Sequence, residues 1–356
     1  MPLLTDITIK PFLISLLLSV LCVPVTVLFF QKKQWLVDPK KTPHPAHTHT
    51  QAVPKGGGLA VLIPMLIGVF LSITSDKHIL AIAIAAVIVV GVGVWDDIKG
   101  LNPYFRLVTN FIAAGVVVAS GIGISFITNP FGGVIDLSWP RLVVDFFGRR
   151  EIWILADLFA LLWIPALMNA INWSSGVDGQ ISGVVTISAL FLGLLSLNYS
   201  ADITQWPVSI LAFSLAGSTF GLTLYHFYPQ KIMPGYSGTS LFGLILGVLA
   251  ILATGKVGTA MLLLAVPILD FLYVIAVRIS KGKSPVWGGS EHLHHRLLKI
   301  GWGKRRIAVF YWSITALMGV IALNIEARYK LFVMLGLVLL VLISWIWQFF
   351  GRFSNR

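Results

Sequence analysis

Apolar segments long enough to cross a membrane recur along this whole chain. A spanning helix needs about 20 mainly apolar residues, and eleven segments approach or reach that length. We predict helices at 11–30, 56–75, 79–95, 106–128, 152–172, 178–198, 206–226, 237–254, 257–280, 306–325 and 329–350. The expected fold is therefore an all-α polytopic integral membrane protein with about eleven transmembrane helices.

Composition supports one membrane domain. Charged residues make up 11% of the 356 residues, against about 25% in soluble domains, so we expect a single transmembrane domain over 1–356. The net charge of +12 favours anionic membrane lipid, and not nucleic acid, as a partner. Cys22 is the only cysteine, which excludes an intramolecular disulfide. Residues 1–10 lack a basic start, so no cleavable signal is expected.

The distribution of basic residues predicts the orientation. If the eleven segments alternate, 18 of the 26 Lys and Arg residues fall on one side of the membrane. That side is predicted to be cytoplasmic, which places the N-terminus outside and the C-terminus inside the cell. Long polar loops share the cytoplasmic side, where a bundle could gather them into one site. The outer side has one long loop, 129–151, in which we expect a small hairpin.

Two adjacent acids, Asp96 and Asp97, end the apolar run "VIVVGVGVWDDIKG". Unpaired carboxylates are costly at a membrane boundary. A solvated helix end would explain the pair, and so would a site for proton transfer or for a metal bound to phosphate. Mg²⁺ commonly uses one or two carboxylates together with substrate phosphate oxygens.

The stretch "NAINWSSGVDG" at 169–179 separates two apolar segments. Its glycines permit backbone shapes that other residues resist, and a polar turn capped by Ser and Asp would account for part of it. That explanation leaves Asn169 and Asn172, which lie one turn apart on a single helix face. Together with Asp178 they are candidates for a binding site.

Asp270 lies inside the apolar run "LLLAVPILDFLYVIAVRIS". An acid in a membrane segment is a functional candidate, and an internal ion pair with Arg278 is the structural alternative. Asp157 is a second such acid, for which we favour a structural role because it lies nearer the predicted outer face.

Three histidines, His292, His294 and His295, form the pattern "HLHH" and precede Arg296. Their spacing is not the usual pair of zinc ligands on one helix face, and no cysteine assists them. Imidazole and guanidinium donors facing a diphosphate are the favoured interpretation. A basic loop against anionic lipid is the alternative.

Taken in order, these stretches resemble the polyprenyl-phosphate N-acetylhexosamine-1-phosphate transferases of glycosyltransferase family 4. The resemblance runs from about residue 37 to 303 and is carried by "VDPKKTPHPAHTHTQAVPKGGGLA", "GVWDDIKGL", "NAINWSSGVDG", "YHFYPQKIMPGYSGTSLFG", "PILDFLYVIAVR" and "KSPVWGGSEHLHHRLLKIG". The "HLHH" pattern is more similar to the branch that uses UDP-N-acetylglucosamine and undecaprenyl phosphate than to the phospho-N-acetylmuramoyl-pentapeptide branch.

The resemblance implies a reaction and its partners. A polyprenyl phosphate would attack a UDP-N-acetylhexosamine, giving polyprenyl-diphosphate-sugar and UMP for cell-envelope polysaccharide synthesis. Mg²⁺, or Mn²⁺ in its place, would offset charge on the diphosphate. The implied location is the plasma membrane of a bacterial or archaeal cell, with the active site on the cytoplasmic face. A homodimer is kept as an open alternative.

The resemblance also implies roles for individual residues. The catalytic and metal-binding acids would be Asp96, Asp97 and Asp178. The substrate-binding residues would be Asn169, Asn172, Asp270, His292, His294, His295 and Arg296.

The chain departs from the family pattern at four positions. The pattern usually has an acid where this chain has Ser175, Tyr236 and Gly289, and Asn is commoner where it has His226. An active transferase with a modified metal site is one hypothesis. A degenerate member that binds nucleotide sugar or lipid phosphate without turnover is the second. A transporter using Asp157 and Asp270 is the third, although no internal repeat supports it.

Overall fold

A computed structural model describes residues 4–40, 48, 51–145, 149–198, 202–253, 256–287, 289 and 291–339. The described chain is mostly helical. The helices that precede the long loop at 129–151 are α1 (Leu4–Ile7), α2 (Ile9–Lys32), α3 (Gly57–Phe70), α4 (Lys77–Lys99) and α5 (Pro103–Ala119). Those that follow it are α6 (Ile154–Trp173), α7 (Gln180–Leu197), α8 (Trp206–His226), α9 (Gly235–Leu252), α10 (Lys256–Leu263), α11 (Ala265–Ser280), α12 (Leu293–Lys299) and α13 (Lys304–Asn324). A further helix covers 327–339.

Every predicted segment contains a helix, but not every helix is long enough to cross a membrane. Among the described residues seven helices have the length and hydropathy to span a bilayer, or eight if α10 and α11 count as one broken span. Helices α3 and α5 are apolar but shorter. The protein is thus a multi-pass membrane protein, while the predicted count of eleven spans and the orientation remain predictions. Residues 340–350 of the last predicted helix lie outside the described part.

Two predicted boundaries were wrong. Helix α5 ends at Ala119, not near 128, because Gly121 follows with a left-handed φ of 101°, the conformation that often terminates helices. The segment at 257–280 is two helices bent by 83°. Pro267 accounts for the break, since it has no N–H to donate and its ring would clash with the Leu263 carbonyl in a continuous helix.

The long loop between α5 and α6 contains two antiparallel strand pairs where one hairpin was expected. Strand β3 (Phe126–Thr128) pairs with β4 (Val134–Asp136), and β5 (Arg141–Asp145) pairs with β6 (Arg149–Trp153). The first hairpin therefore begins inside the segment that was predicted as helix. A short ladder between β1 (Leu36–Val37) and β2 (Val53–Pro54) lies near the start of α3.

Helix α9 lies at the centre of the bundle. Within its most apolar window 89% of residues are buried inside the protein, against 17% for α1 and α2. It packs against α3, α4, α6 and α7, and small residues allow the approach to be close. Gly58 of α3 and Gly93 of α4 both lie against Ser237. This packing brings the C-terminal end of α4 to the N-terminal end of α9.

Candidate active site

Residues from widely separated loops line one cleft at the N-terminal end of α9. Its cavity volume is about 250 Å³. The lining residues come from the 31–55 loop, the α4–α5 junction, the α6–α7 turn and the approach to α9, as the sequence predicted. They are Thr48, Lys55, Asp96, Asp97, Arg106, Asn172, Ser175, Gly176, Val177, His226, Gln230, Met233, Pro234, Gly235, Tyr236 and Thr239.

Asp97 joins the end of α4 to the start of α9. Its Oδ1 accepts a hydrogen bond from the Tyr236 N–H at 2.7 Å, and its Oδ2 accepts from the Ser237 hydroxyl at 2.6 Å and the Ser237 N–H at 3.2 Å. Gly235, with a φ of 68°, allows this contact because a Cβ there would overlap the carboxylate. A carboxylate has about four acceptor directions, so one remains for a ligand in the cleft.

Asp96, beside it, is paired with Arg106. Its Oδ2 lies 3.3 Å from the guanidinium, and its Oδ1 accepts from the Leu101 N–H at 2.8 Å. The guanidinium also lies 4.9 Å from the centre of the Tyr236 ring. The Tyr236 hydroxyl donates to Asn110 Oδ1 at 2.9 Å. At this position, where the family pattern has an acid, the chain thus has an aromatic ring that supports an arginine.

The two asparagines of the α6–α7 stretch have different surroundings. Asn172 lines the cleft, and its Oδ1 accepts a hydrogen bond from the Thr239 hydroxyl at 2.8 Å. Asn169 donates to the Pro165 carbonyl of its own helix at 2.8 Å and is not among the lining residues. Of the two, only Asn172 is positioned by the structure toward the cleft.

Asp178 is buried in an ion pair. Its Oδ1 lies 2.9 Å from the Lys304 ammonium, and its Oδ2 accepts from the Gln230 N–H at 3.3 Å. The side chain is 3% exposed, and it does not line the cleft that Asp96 and Asp97 line. A role as third metal ligand stays a prediction that would require the carboxylate to exchange Lys304 for the ion.

The histidine cluster lines a second, adjoining cavity of about 170 Å³. His292 lies 2.8 Å from the Asp270 carboxylate, which also accepts the Leu293 N–H at 2.7 Å. Asp270 is therefore a positioning group behind His292, and the alternative pair with Arg278 is not formed, because Arg278 bonds Pro285 and Glu291. The two cavities share the wall formed by Arg106, Asn172, Ser175 and Gly176.

Two histidines of the cluster, His294 and His295, each have a ring nitrogen without a hydrogen-bond partner. His294 Nδ1 and His295 Nε2 are buried and make no hydrogen bond. Burial, followed by the neighbouring imidazoles, holds the pKa of His294 well below its usual value of 6.5, so the ring is neutral at physiological pH. Arg296 stacks on Tyr273 at 4.5 Å and does not line either cavity, so the structure does not bring it to the site as predicted.

The acids do not form a preassembled metal site. In the part of the chain that the structure describes, no group of three or more His, Cys, Asp or Glu side chains could hold an ion. Asp96 and Asp97 nevertheless line the cleft together. This pair fits a divalent ion that takes its other ligands from substrate phosphates, the usual way in which Mg²⁺ binds to nucleotide enzymes.

The sequence did not indicate Arg106, Lys55 or Thr239 as site residues, although all three line the cleft. Their residue types alone do not indicate a site, and the Thr239 hydroxyl bonds Asn172, a partner distant in sequence. Of these residues, only Arg106 could have been predicted from the sequence, because it follows the acidic pair within one polar stretch.

Comparisons with known proteins agree with this geometry. The model of glycosyl transferase family 4 matches residues 79–254. The chain is 28% identical to the decaprenyl-phosphate N-acetylglucosaminephosphotransferase of Mycobacterium leprae over 84% of this chain and 80% of that protein. It is 28% identical to the probable undecaprenyl-phosphate N-acetylglucosaminyl 1-phosphate transferase of Bacillus subtilis over 89% of this chain and 84% of that protein.

A second branch matches more weakly. The phospho-N-acetylmuramoyl-pentapeptide-transferase of Campylobacter lari is 26% identical over 88% of this chain and 92% of its own length. This ranking agrees with the branch that the "HLHH" pattern favoured. The ordered motifs gather at one end of a helical bundle, and residues 79–254 of this chain match the model of glycosyl transferase family 4.

Proposed function

We propose that this protein transfers an N-acetylhexosamine 1-phosphate from a UDP-sugar to a membrane polyprenyl phosphate. The observation that carries the proposal is the pair of adjoining cavities with one shared wall. One contains the adjacent acids and Asn172, and the other contains the three histidines. A UDP-sugar has a nucleotide part and a sugar-diphosphate part, and two adjoining cavities suit a donor whose two parts bind to different sets of residues.

In the proposed reaction an oxygen of the lipid phosphate bonds to the β-phosphorus of the UDP-sugar. The bond between that phosphorus and the oxygen bridging to the α-phosphate breaks, and UMP leaves with the electron pair. Asp96 and Asp97 orient the attacking phosphate or take its proton. Asn172 contacts the nucleotide, and the neutral His294 and His295 offer nitrogens to the diphosphate sugar.

We also propose Mg²⁺, or Mn²⁺, as the cofactor, bound by Asp96 and Asp97 together with the donor's phosphates. When bound, such an ion offsets charge that develops on the transferring phosphate. We expect weak binding of Mg²⁺ in the absence of nucleotide, because the described chain has no cluster of three acidic or imidazole ligands.

The proposed location of the site is the cytoplasmic face of a bacterial or archaeal plasma membrane. Two considerations support it: the excess of Lys and Arg on the predicted cytoplasmic loops, and the solubility of UDP-sugars, which cannot cross a bilayer unaided. Arg305 and Arg306 at the start of α13 are exposed, and we propose that they meet anionic lipid headgroups.

A second candidate function is binding without turnover. The observations that favour it are the Asp178–Lys304 ion pair and Tyr236 at a position where the family pattern has an acid. Both reduce the number of carboxylates that are free to hold a metal.

Transfer of radiolabelled sugar phosphate into the lipid fraction tests both candidates. Membranes containing the protein are supplied with polyprenyl phosphate and with UDP-N-acetylglucosamine or UDP-N-acetylgalactosamine, each with and without Mg²⁺. The first proposal predicts labelled lipid and released UMP in equal amounts. Nucleotide binding without labelled lipid for any donor would contradict it and support the second candidate.

A further inference from the structure

Arg106 occupies the boundary between the two cavities. Of the described Lys and Arg residues, it alone lines both. Its side chain is 27% exposed, so a ligand in the site can reach it. A guanidinium has five N–H donors, and one of them bonds Asp96, which leaves the others available.

Two neighbours fix the guanidinium in this place. Asp96 bonds it from one side, and the Tyr236 ring lies 4.9 Å from it on another. The Tyr236 hydroxyl is itself held by Asn110 Oδ1 and by the Arg106 carbonyl, at 2.9 and 3.2 Å. The ring is 6% exposed and Asn110 is 1% exposed. The support under Arg106 is therefore buried, whereas the guanidinium remains accessible.

We infer that Tyr236 is a positioning residue that holds Arg106 as a fixed cation for the diphosphate of the donor. Tyr236 stands where the family pattern has an acid. This chain therefore has, in place of a candidate metal ligand, an aromatic ring that supports Arg106. A planar guanidinium suits phosphate oxygens because it can donate two parallel hydrogen bonds. The identity of the diphosphate as part of a UDP-sugar rests on the proposed function.

The exchange has a consequence for metal dependence. The Arg106 guanidinium neutralises part of the negative charge of the diphosphate without a metal ion. A carboxylate at position 236 would instead require a metal ion for this. The parent protein should therefore bind a diphosphate in the absence of divalent metal, and Tyr236→Asp should make that binding depend on Mg²⁺.

Inorganic pyrophosphate is the probe, because its binding does not depend on the proposed reaction. The purified full-length protein in detergent is titrated with pyrophosphate in EDTA by calorimetry. We expect Arg106→Gln to weaken binding about 10- to 100-fold, the range for a lost charged hydrogen bond. Tyr236→Leu should weaken it about 10-fold through loss of the ring, and Tyr236→Phe, which keeps the ring, should weaken it less.

Arg328→Gln is the matched control. Arg328 is also paired with an acid, Glu326, and lies 4.7 Å from the Tyr329 ring, but it lines neither cavity, so its loss should leave pyrophosphate binding unchanged. Melting temperatures of all variants distinguish lost binding from lost folding. Absence of binding by the parent in EDTA, or equal binding by a folded Arg106→Gln protein, would overturn the inference.

The transfer reaction supplies a second readout. Tyr236→Leu should raise the donor KM more than it lowers kcat, and Tyr236→Asp, alone or with Ser175→Asp, should raise Mg²⁺ affinity and the rate at saturating Mg²⁺. If pyrophosphate binding follows the expected order but no sugar phosphate is transferred, the inference stands and the proposed function fails. If transfer occurs and the Tyr236 variants keep the parent's Mg²⁺ dependence, the inference fails alone.

Discussion

A single carboxylate, Asp97, serves both the helix packing and the proposed chemistry. It accepts three hydrogen bonds from the first residues of α9 and still faces the cleft. We expect Asp97→Ala to reduce sugar-phosphate transfer by at least about 10²-fold, the usual contribution of a positioned acid or base. Asp136→Asn, in the exposed first hairpin, is the control and should transfer at the parent rate. A near-normal rate for Asp97→Ala would refute the site.

His294 makes the stability of the protein depend on pH. Because burial lowers its pKa below 6.5 in the folded protein, the unfolded chain binds a proton that the folded chain does not. The stabilisation is therefore complete above pH 6.5 and decreases as the pH falls below that value. His295, whose pKa is also lowered chiefly by burial, acts in the same direction.

Melting temperature in detergent, measured between pH 7.5 and 5, checks this. We expect a fall toward low pH that is smaller in His294→Gln. A parent curve that is flat over this range would contradict the neutral buried ring.

At the residue scale, the sequence located those site residues whose type is informative. The acidic pair, Asn172 and the histidines fall in or beside the two cavities. Asn169, Asp178 and Arg296 do not line either cavity. Nearby partners hold them: a carbonyl of the same helix for Asn169, the Lys304 ammonium for Asp178 and an aromatic ring for Arg296. Such partners depend on side-chain direction, which spacing alone does not determine.

At the scale of elements, the packing of α4 on α9 positions the acidic pair. Gly93 lies against Ser237 of α9, whereas Gly91 on the same helix has no atom near its Cβ position. We expect Gly93→Ala to destabilise the fold by about 1–3 kcal/mol, as overpacking does, and to reduce transfer by displacing the hydroxyl that bonds Asp97. Gly91→Ala is the matched control and should change neither. Thermal melting and transfer rate of both variants provide the test, and equal behaviour would contradict this view of the interface.

Helix positions were predictable from apolar periodicity and length, but helix ends and breaks were not. The chain at Pro267 shows why. Hydropathy runs without interruption from 257 to 280, whereas the backbone turns by 83° because one residue lacks an N–H. The opposite error occurred at 120–128, where apolar residues continue into a strand. Hydropathy indicates that a segment is buried in lipid or protein. The hydrogen bonding of its backbone determines whether it is a helix or a strand.

At the scale of the whole molecule, the arrangement of loops predicts a membrane topology. Lys99, the last residue of α4, and Lys283, in the loop after α11, are both exposed and are predicted to be cytoplasmic. Phe131, 89% exposed, lies in the first hairpin, on the predicted outer side. With Cys22 replaced by serine, cysteines at 99 and 283 should react with an impermeant thiol reagent only after the cells are opened. A cysteine at 131 should react in intact cells. Labelling of 99 and 283 from opposite sides would exclude a single cytoplasmic site.

The wall common to both cavities also bears on inhibition. Both cavities are bordered by Arg106, Asn172, Ser175 and Gly176. One molecule could therefore occupy both cavities, with a nucleoside at one end and a group that contacts the histidines at the other. Joining two weak ligands makes the second contact intramolecular, which can raise affinity by about 10²–10⁴-fold when the linker matches the span.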